Sequence, residues 1–341
     1  MPWPGCPPPP SPPPRSGRWR RWRNPSRVTG CTSSRWTKKA PHCSPRATAS
    51  TCRTSNWRWK AGFSTVGAES GAGVRRAAVL GSPITHSRSP QLHLAAYRAL
   101  GLDWSYDRIE CTAAELPRLV DGLGPEWVGL SVTMPGKEAA LAYANERTER
   151  AVLVGSANTL VRTESGWRAD CTDVDGVLGA LRGGGVTGLS EAVVLGAGGT
   201  ARPALLALTG LGAGRMTIVA RDAGRAAGAR ELAAQLGADT EVIGFDAPEL
   251  ARRCAAAGAV VSTVPYQAAA AISGSVAAAP VVLDALYDPW PTPLAEAVAA
   301  AGHTVIGGLQ MLLEQAYGQV EQFTGKPAPR AEMAAAVSDL G

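Results

Sequence analysis

From residue 75 onward, short runs of β-branched and other apolar residues alternate with longer stretches rich in Ala and Leu. This alternation is typical of strand-helix-strand units that build a parallel sheet. Ser89 is expected to cap a helix that has Pro90 at its first position and stops at Gly101. Further elements of this α/β unit are predicted as strands over 77–80, 106–111, 128–133 and 158–162, and helices over 115–123 and 137–144.

A second unit follows the helix predicted after Asp173. Its first strand, 193–195, is fully apolar and runs into the glycine-rich segment 196–201, which opens a helix that extends to Leu208. The pattern then predicts strands over 216–220, 241–245, 259–264, 281–283 and 304–306, a helix over 223–236, a long helix over 309–323 and a closing helix over 331–340. This order resembles a Rossmann fold.

Composition separates the first 73 residues from the rest of the chain. They contain no Leu and no Ile, but they hold 12 of the 26 Pro and 6 of the 10 Trp. They carry thirteen Lys and Arg against the single acid Glu69, so their charge is +12 while the remainder carries −6 of the total of +6. Such a segment cannot build an apolar core, and we expect a disordered extension.

Two interpretations of this extension remain open. Clusters such as Arg-Trp-Arg-Arg-Trp-Arg at 18–23 fit a nucleic-acid-binding arm, in which indoles stack on bases and guanidinium groups meet phosphates. The absence of any period or repeat favours translated upstream DNA instead, with the true start at Val66 or Val74. In that case the extension contributes nothing to catalysis or folding.

The spacing of the cysteines and the lengths of the apolar runs indicate the cellular compartment of the protein. Four of the seven Cys lie in the extension, and Cys111, Cys171 and Cys254 are far apart in the rest. This spacing gives neither a disulfide framework nor a metal site, so we expect a reduced, cytoplasmic protein without a metal. No run of eighteen apolar residues and no signal-peptide stretch occurs.

The glycine-rich segment is the first candidate binding site. Gly196 permits a tight turn, Gly198 allows the backbone to approach a pyrophosphate, and the helix start can hold the anion. Arg221 ends the following strand, where an NAD enzyme places an acid, and Arg225 lies one turn later. Guanidinium groups there suit the 2′-phosphate of NADP, although Asp222 would repel that phosphate.

Other polar clusters follow the strands of the first unit, where ligands of open α/β sheets bind. The segment 82–90 presents hydroxyls that suit a carboxylate, and 131–137 ends a strand with Thr133 and Lys137 at its edge. Asn158 and Asp173 add an amide and a carboxylate. Taken singly, Lys137 is typical of a solvated helix start and Asp173 of a helix cap.

Together these motifs resemble the shikimate dehydrogenase family, and its actinobacterial branch most. The resemblance covers residues 75–340 and nothing earlier in the chain. Its motifs are Gly-Ser-Pro at 81–83, His-Ser-Arg-Ser-Pro at 86–90, Val-Thr-Met-Pro-Gly-Lys at 132–137, Gly-Ser-Ala-Asn-Thr-Leu at 155–160, Thr-Asp at 172–173, the glycine loop 196–201, Asp-Ala-Leu-Tyr-Asp-Pro at 284–289, Thr-Pro-Leu at 292–294 and the helix start at 308–316.

The resemblance implies NADPH-dependent, reversible reduction of 3-dehydroshikimate to shikimate, in the route to chorismate and the aromatic amino acids. It implies a substrate domain at 74–172, a Rossmann-like NADP(H) domain at 173–307, and C-terminal helices at 308–341 that return to the first domain. The expected partner is the small-molecule substrate, with no nucleic acid or membrane, and the expected state is a monomer or homodimer.

The resemblance also implies roles for individual residues. Lys137 and Asp173 would be catalytic, because a developing alkoxide needs an adjacent cation and a proton donor; which of the two moves the proton stays open. Substrate contacts would come from Ser87, Ser89, Ser131, Thr133, Asn158, Tyr287 and Gln315. Cofactor contacts would come from Gly196, Ala197, Gly198, Gly199, Thr200, Ala201, Arg221, Arg225, Thr263, Gly308 and Met311.

This chain departs from the family at three positions. Ser131 and Cys171 stand where the family usually has Asn, and Asp222 stands where it commonly has Thr. The first two changes would loosen substrate binding. The third keeps open a second activity, that of an NAD-dependent quinate or mixed quinate/shikimate dehydrogenase. A nucleic-acid-binding or regulatory protein that works through its basic arm is the alternative from another class.

Overall fold

The computed structural model describes residues 74–338, and the N-terminal extension with its two interpretations lies outside the described residues. Within 74–338 the chain forms two six-stranded sheets. None of the helices in this range is long and apolar enough to cross a membrane.

The first sheet has the strand order β2-β1-β3-β5-β6-β4 and is mixed, since β5 runs antiparallel to both β3 and β6. Its strands are β1 (Arg75–Gly81), β2 (Trp104–Glu110), β3 (Trp127–Val132), β4 (Glu146–Arg147), β5 (Thr159–Thr163) and β6 (Gly166–Asp170). The helices connecting them are α1 (Ser89–Ala99), α2 (Leu116–Asp121), α3 (Lys137–Tyr143) and α4 (Glu149–Val154).

The second sheet is entirely parallel and has the order β12-β11-β10-β7-β8-β9, which is the Rossmann order that the pattern predicted. Its strands are β7 (Glu191–Leu195), β8 (Arg215–Val219), β9 (Asp239–Ile243), β10 (Ala259–Ser262), β11 (Val281–Asp284) and β12 (Thr304–Ile306). Its helices are α6 (Ala201–Gly210), α7 (Ala227–Gln235), α8 (Leu250–Ala256), α9 (Tyr266–Val276) and α10 (Pro293–Ala300).

Helices cover both faces of each sheet, because alternate residues of the central strands point into different cores. In β7, Val193 and Leu195 pack with α8, α9 and α10, while Ala192 and Val194 pack with α6 and α7. Continuous apolar runs such as 193–195 therefore mark strands that are buried on both sides.

Two helices connect the sheets. Helix α5 (Asp173–Gly183) leads from β6 to the second sheet, and α11 (Gly308–Thr324) leads back after β12. Gly176 lets them approach closely, since a Cβ there would lie 2.8 Å from the Met311 carbonyl oxygen. Helix α11 and α12 (Arg330–Ser338) pack against α1 and the first sheet, which confirms the predicted return of the C-terminal helices.

The structure corrects several local predictions. Ser89 does not cap α1: the helix begins at Ser89 itself, Arg88 is the N-cap residue, and no side chain caps it. The helix predicted over 223–236 begins at Ala227, and the strand predicted over 241–245 begins at Asp239. The elements that the pattern did not predict are β4, β6, α4, α8, α9 and α10.

Candidate active site

A buried ion pair joins the starts of two helices. Lys137 is the first residue of α3 and Asp173 the first of α5, and Lys137 Nζ lies 2.6 Å from Asp173 Oδ2. Their side chains are only 15% and 8% exposed. Burial disfavours the charged lysine, but the Asp173 carboxylate outweighs that effect and raises the pKa of Lys137. The pair therefore presents a protonated ammonium group that is held by a carboxylate.

Asn158 holds the other carboxylate oxygen of Asp173. The Thr172 amide donates to Asn158 Oδ1 at 2.8 Å, which fixes the orientation of the side-chain amide. Asn158 Nδ2 consequently faces Asp173 Oδ1 at 3.0 Å and Gln315 Oε1 at 2.9 Å. Residues from α3, α5, α11 and the position just before β5 thus meet around one carboxylate.

Gln315 has one donor left for a ligand. Its Oε1 accepts from Asn158, and its Nε2 donates one hydrogen to the Leu312 carbonyl oxygen at 2.9 Å. Within residues 74–338, the second Nε2 hydrogen has no acceptor. Thr133 lies on the turn after β3, where its amide donates to the Leu80 carbonyl oxygen at 2.8 Å and its hydroxyl makes no hydrogen bond to any described residue.

Ser131 points toward the core. Its hydroxyl accepts from Tyr106 at 2.6 Å and donates to Gln319 Oε1 at 2.8 Å, and the side chain is buried. The single hydroxyl hydrogen is therefore used inside the protein, and only an acceptor lone pair remains for a ligand.

A second polar cluster lies at the start of α1. The Ser89 amide donates to the Ser87 hydroxyl at 3.3 Å, and the Arg108 guanidinium on β2 donates twice to the Ser87 carbonyl oxygen, at 2.9 and 2.6 Å. Tyr287, which follows β11, is partly buried beside Arg88; burial raises its pKa and the Arg88 charge opposes this. The cluster brings two serines and a tyrosine together at a helix N-terminus, a suitable place for a carboxylate.

The glycine loop connects β7 to α6. Gly196 has φ of 103°, and a Cβ on it would lie 2.6 Å from the Thr263 hydroxyl, so only glycine fits. Gly198 and Gly199 are exposed, and a Cβ on either would meet nothing within 4 Å. No side chain caps α6, whose N-cap residue is Thr200. The loop thus leaves open space and amide donors for a dinucleotide pyrophosphate.

Arg221 and Arg225 lie in the loop between β8 and α7. Both are exposed, and neither makes a hydrogen bond or ion pair within residues 74–338. Asp222 differs, because its Oδ1 accepts from the Gly224 amide at 2.7 Å and so closes the turn between the two arginines. Gly308 and Met311 lie in the first turn of α11, where a Cβ on Gly308 would clash with the Ala285 carbonyl oxygen.

Sequence reasoning did not single out the residues that support this site. Arg150 on α4 donates to Asp170 Oδ1 at 2.6 Å and to Asp175 Oδ2 at 2.7 Å. These contacts attach the end of β6 and the first turn of α5, which carries Asp173, to α4. Gln319, Tyr106 and Thr159 were also missed as functional residues. Thr159 lies within the motif at 155–160, but no sequence signal points to Gln319 or Tyr106, whose partners lie far along the chain.

A cavity of about 650 Å³ lies away from these groups, between α4, α6 and α7. Arg147, Glu149, Arg202, Glu231 and apolar side chains line it. None of the residues predicted to bind substrate or cofactor lines this cavity, and its two arginines are balanced by two glutamates.

Comparisons with known proteins agree on one family. Residues 79–160 match the family described as the shikimate dehydrogenase substrate binding domain, and residues 308–337 match the shikimate 5′-dehydrogenase C-terminal domain. The NADP(+) shikimate dehydrogenase of Caulobacter vibrioides is 38% identical over 267 residues, which are 75% of this chain and 92% of that protein.

Two solved structures are similar over the same region. The crystal structure of Mycobacterium tuberculosis shikimate dehydrogenase has 60% sequence identity and a TM-score of 0.75, covering 78% of this chain and 99% of that chain. The Thermus thermophilus shikimate 5-dehydrogenase in complex with NADP(H) and shikimate has 28% identity and a TM-score of 0.66, with coverages of 78% and 99%.

Proposed function

We propose that this chain, which belongs to the shikimate dehydrogenase family, uses Lys137 and Asp173 as its catalytic pair. The chain is an oxidoreductase of the shikimate pathway that interconverts 3-dehydroshikimate and shikimate with NADP(H). The observation that carries the residue assignment is the buried contact of 2.6 Å between the two side chains. The pair lies among groups that can bind hydroxyls.

In this proposal, two groups of residues hold the substrate. Ser87, Ser89 and Tyr287 bind its carboxylate beside the N-terminus of α1. Thr133 and Gln315 face the ring hydroxyls, and the spare Nε2 hydrogen of Gln315 supports its assignment. Asn158 binds a ring hydroxyl by exchanging one of its two Nδ2 contacts, those with Asp173 and Gln315. Ser131 supplies at most an acceptor, since its hydrogen is bound to Gln319.

Lys137 acts on the reacting oxygen. NADPH, when bound, supplies the hydride that reduces the ketone. Lys137 Nζ donates a hydrogen bond to the carbonyl oxygen, stabilises the negative charge that develops on it, and gives it a proton. Asp173 keeps the lysine charged and in place, and Asn158 prevents the carboxylate from turning away.

The chain's own residues would hold NADP(H) along the edge of the second sheet. Within 196–201, the amides of 197–200 bind the pyrophosphate, since those of Gly196 and Ala201 donate to backbone carbonyl oxygens. Arg221 and Arg225 bind the 2′-phosphate. Asp222 is bound to the Gly224 amide, so it supports the turn. Thr263, Gly308 and Met311 line the nicotinamide end. We also place the enzyme in the cytoplasm, since Cys111, Cys171 and Cys254 are free thiols. Its proposed state is a monomer or homodimer.

The test is a substrate and cofactor panel on the purified full chain. Shikimate and quinate are each offered with NADP and with NAD, and reduced cofactor is followed by its near-ultraviolet absorbance. We expect oxidation of shikimate with NADP to have the highest kcat/KM. A higher value for quinate with NAD would support the second activity that Asp222 left open, and no oxidation of shikimate would refute the proposal.

A further inference from the structure

A glutamine on α11 lies behind the substrate site, on the protein side of Asn158. Gln319 follows Gln315 by four residues, so both lie on the same face of the helix. Gln319 is 1% exposed. It is therefore out of reach of a bound substrate, and its contacts are all within the protein.

Every hydrogen-bonding position of the Gln319 amide is used. Nε2 donates to the Asn158 carbonyl oxygen at 3.0 Å and to Thr159 Oγ1 at 3.1 Å. Oε1 accepts from Ser131 Oγ at 2.8 Å and faces His93 Nε2 at 3.3 Å. A primary amide has two hydrogens and two lone pairs, so this group is fully satisfied. It joins α1, β3 and the start of β5.

The donors of Gln319 add a second constraint on the orientation of Asn158, beside the Thr172 amide that donates to the same oxygen. Thr159 Oγ1 accepts from Gln319, so its own hydrogen is free to go to Asn158 Oδ1, 2.9 Å away. Together with the Thr172 amide, that bond holds Oδ1 on the protein side and leaves Nδ2 facing Asp173. Gln319 thus donates to Thr159, Thr159 donates to Asn158, and Asn158 donates to the Asp173 carboxylate.

His93 completes this arrangement as a neutral donor. It is fully buried and stacked on Tyr106 with ring centroids 4.1 Å apart, and burial lowers its pKa to about 3. Because Gln319 Oε1 can only accept, the imidazole proton lies on Nε2, and Nδ1 faces the Tyr97 hydroxyl at 3.5 Å. The Asn158 carbonyl oxygen can only accept, so it requires Nε2 of Gln319 on its side, and His93 in this tautomer supplies the matching donor to Oε1.

We propose that Gln319 is a positioning residue, which sets the geometry of Asn158 and Ser131 from behind the substrate site. The inference rests on the proposed function, because it assigns Asn158 to the substrate and to Asp173. If the Asn158 side-chain amide were loosely oriented, the substrate hydroxyls would be misaligned. The residues proposed to bind NADP(H) would be unaffected.

The test compares Gln319→Met with Val320→Ala, a neighbouring change in the same helix. Val320 is fully buried in the core beside α1, so its truncation leaves a cavity without touching the polar groups. We expect both variants to melt at a lower temperature. For Gln319→Met, kcat/KM for shikimate should fall about ten- to a hundredfold through misplacement of contact groups, while KM for NADP stays within about twofold.

The outcomes separate this inference from the proposed function. If Gln319→Met loses thermal stability as Val320→Ala does but keeps its kcat/KM for shikimate, the positioning role is refuted and the function stands. An inactive parent enzyme would refute both. If Gln319→Met does not fold, Thr159→Val serves as the second variant. It removes the hydroxyl that connects Gln319 to Asn158 and changes the side-chain shape little. It should lower kcat/KM for shikimate in the same way, and an unchanged value would refute the role.

Discussion

The proposed substrate edge, around Asp173, and the proposed cofactor edge, formed by the glycine loop 196–201 with Arg221 and Arg225, are built differently. Around Asp173, buried side chains from four elements are bound to one another, and few hydrogen-bonding positions stay free. Around the glycine loop, Arg221 and Arg225 are exposed and make no hydrogen bond to any described residue. The first edge is organised before any ligand arrives, whereas the second leaves its charged groups for the ligand.

This difference has an energetic reason. A buried polar group costs free energy unless it is bonded, so each member of the substrate network depends on the others. Exposed arginines stay hydrated, so they can bind a phosphate without hydrogen bonds from neighbouring residues. We therefore expect substitutions at the substrate edge to affect stability and catalysis together, and substitutions at the cofactor edge to affect cofactor choice alone.

The largest effect is expected from Lys137→Ala. It removes the donor to the reacting oxygen and leaves the Asp173 carboxylate without its ion-pair partner. We expect kcat to fall by about 10² to 10⁴, with a smaller change in KM. Steady-state kinetics would check this, with Lys326→Ala, an exposed lysine after α11, as the control. An unchanged kcat in Lys137→Ala would end the catalytic assignment.

Arg150→Gln tests the substrate edge through its effect on the free energy of unfolding. It leaves Asp170, 5% exposed, without its cation, and we expect the free energy of unfolding to fall by about 3 kcal/mol. Burial opposes ionisation of Asp170, but Arg150 holds its pKa below the usual 3.8. This part of the stability is therefore present above pH 3.8 and is lost as the pH falls through the lower, folded-state pKa.

Urea unfolding at several pH values would measure that difference. Arg252→Gln on α8, an exposed arginine, is the matched control and should change the stability little. A difference between Arg150→Gln and the parent that did not shrink toward low pH would show that the ion pair with Asp170 is not its source.

At the cofactor edge, Arg221→Ala should change preference without changing stability. Loss of charge-assisted hydrogen bonds to a 2′-phosphate should lower the ratio of kcat/KM for NADP over NAD about ten- to a hundredfold. Arg230→Ala, an exposed arginine on α7, should leave the ratio unchanged. If the parent enzyme used both cofactors equally, the arginine assignment would be wrong.

The smallest effect is expected from Asp222→Asn. An asparagine oxygen can still accept from the Gly224 amide, so the turn should persist while one negative charge is removed. We expect the NADP over NAD ratio to rise by no more than about threefold, since exposed charges are screened. A tenfold rise would show that Asp222 acts directly against the phosphate.

The same contrast explains which parts of the molecule the sequence predicts. Strands buried on both faces, such as β7 and β11, are recognised as apolar runs, and the glycine loop is recognised because Gly196 needs a positive φ. Lys137 and Asp173 each begin a helix and Asn158 directly precedes β5, and all three lie within short motifs that resemble those of the family. Helix α9 was missed because its Ala-rich sequence has little polar periodicity.

Long-range partners explain the remaining misses. Gln319 is separated by 160 residues or more from Asn158, Thr159 and Ser131, so nothing in its neighbourhood indicates a role. Arg150 looks like an ordinary charge on a short helix until β6 and α5 are placed beside it. Serine is a common N-cap residue, and Ser89 was therefore expected to precede a helix that starts at Pro90. Instead α1 begins at Ser89 and accommodates Pro90 as its second residue.

The placement of Asp173 on the first turn of α5 limits how this protein can be recombined. The helix has Asp173, the proposed catalytic residue, at one end and leads to the second sheet at the other. Helix α11 likewise begins beside the proposed cofactor edge and carries Gln315. A chimaera that exchanges the cofactor-binding sheet for one from a homologue must therefore retain both helices. The splice at the N-terminal side belongs after α5, near Gly184 and Gly185, and its counterpart belongs before Gly308.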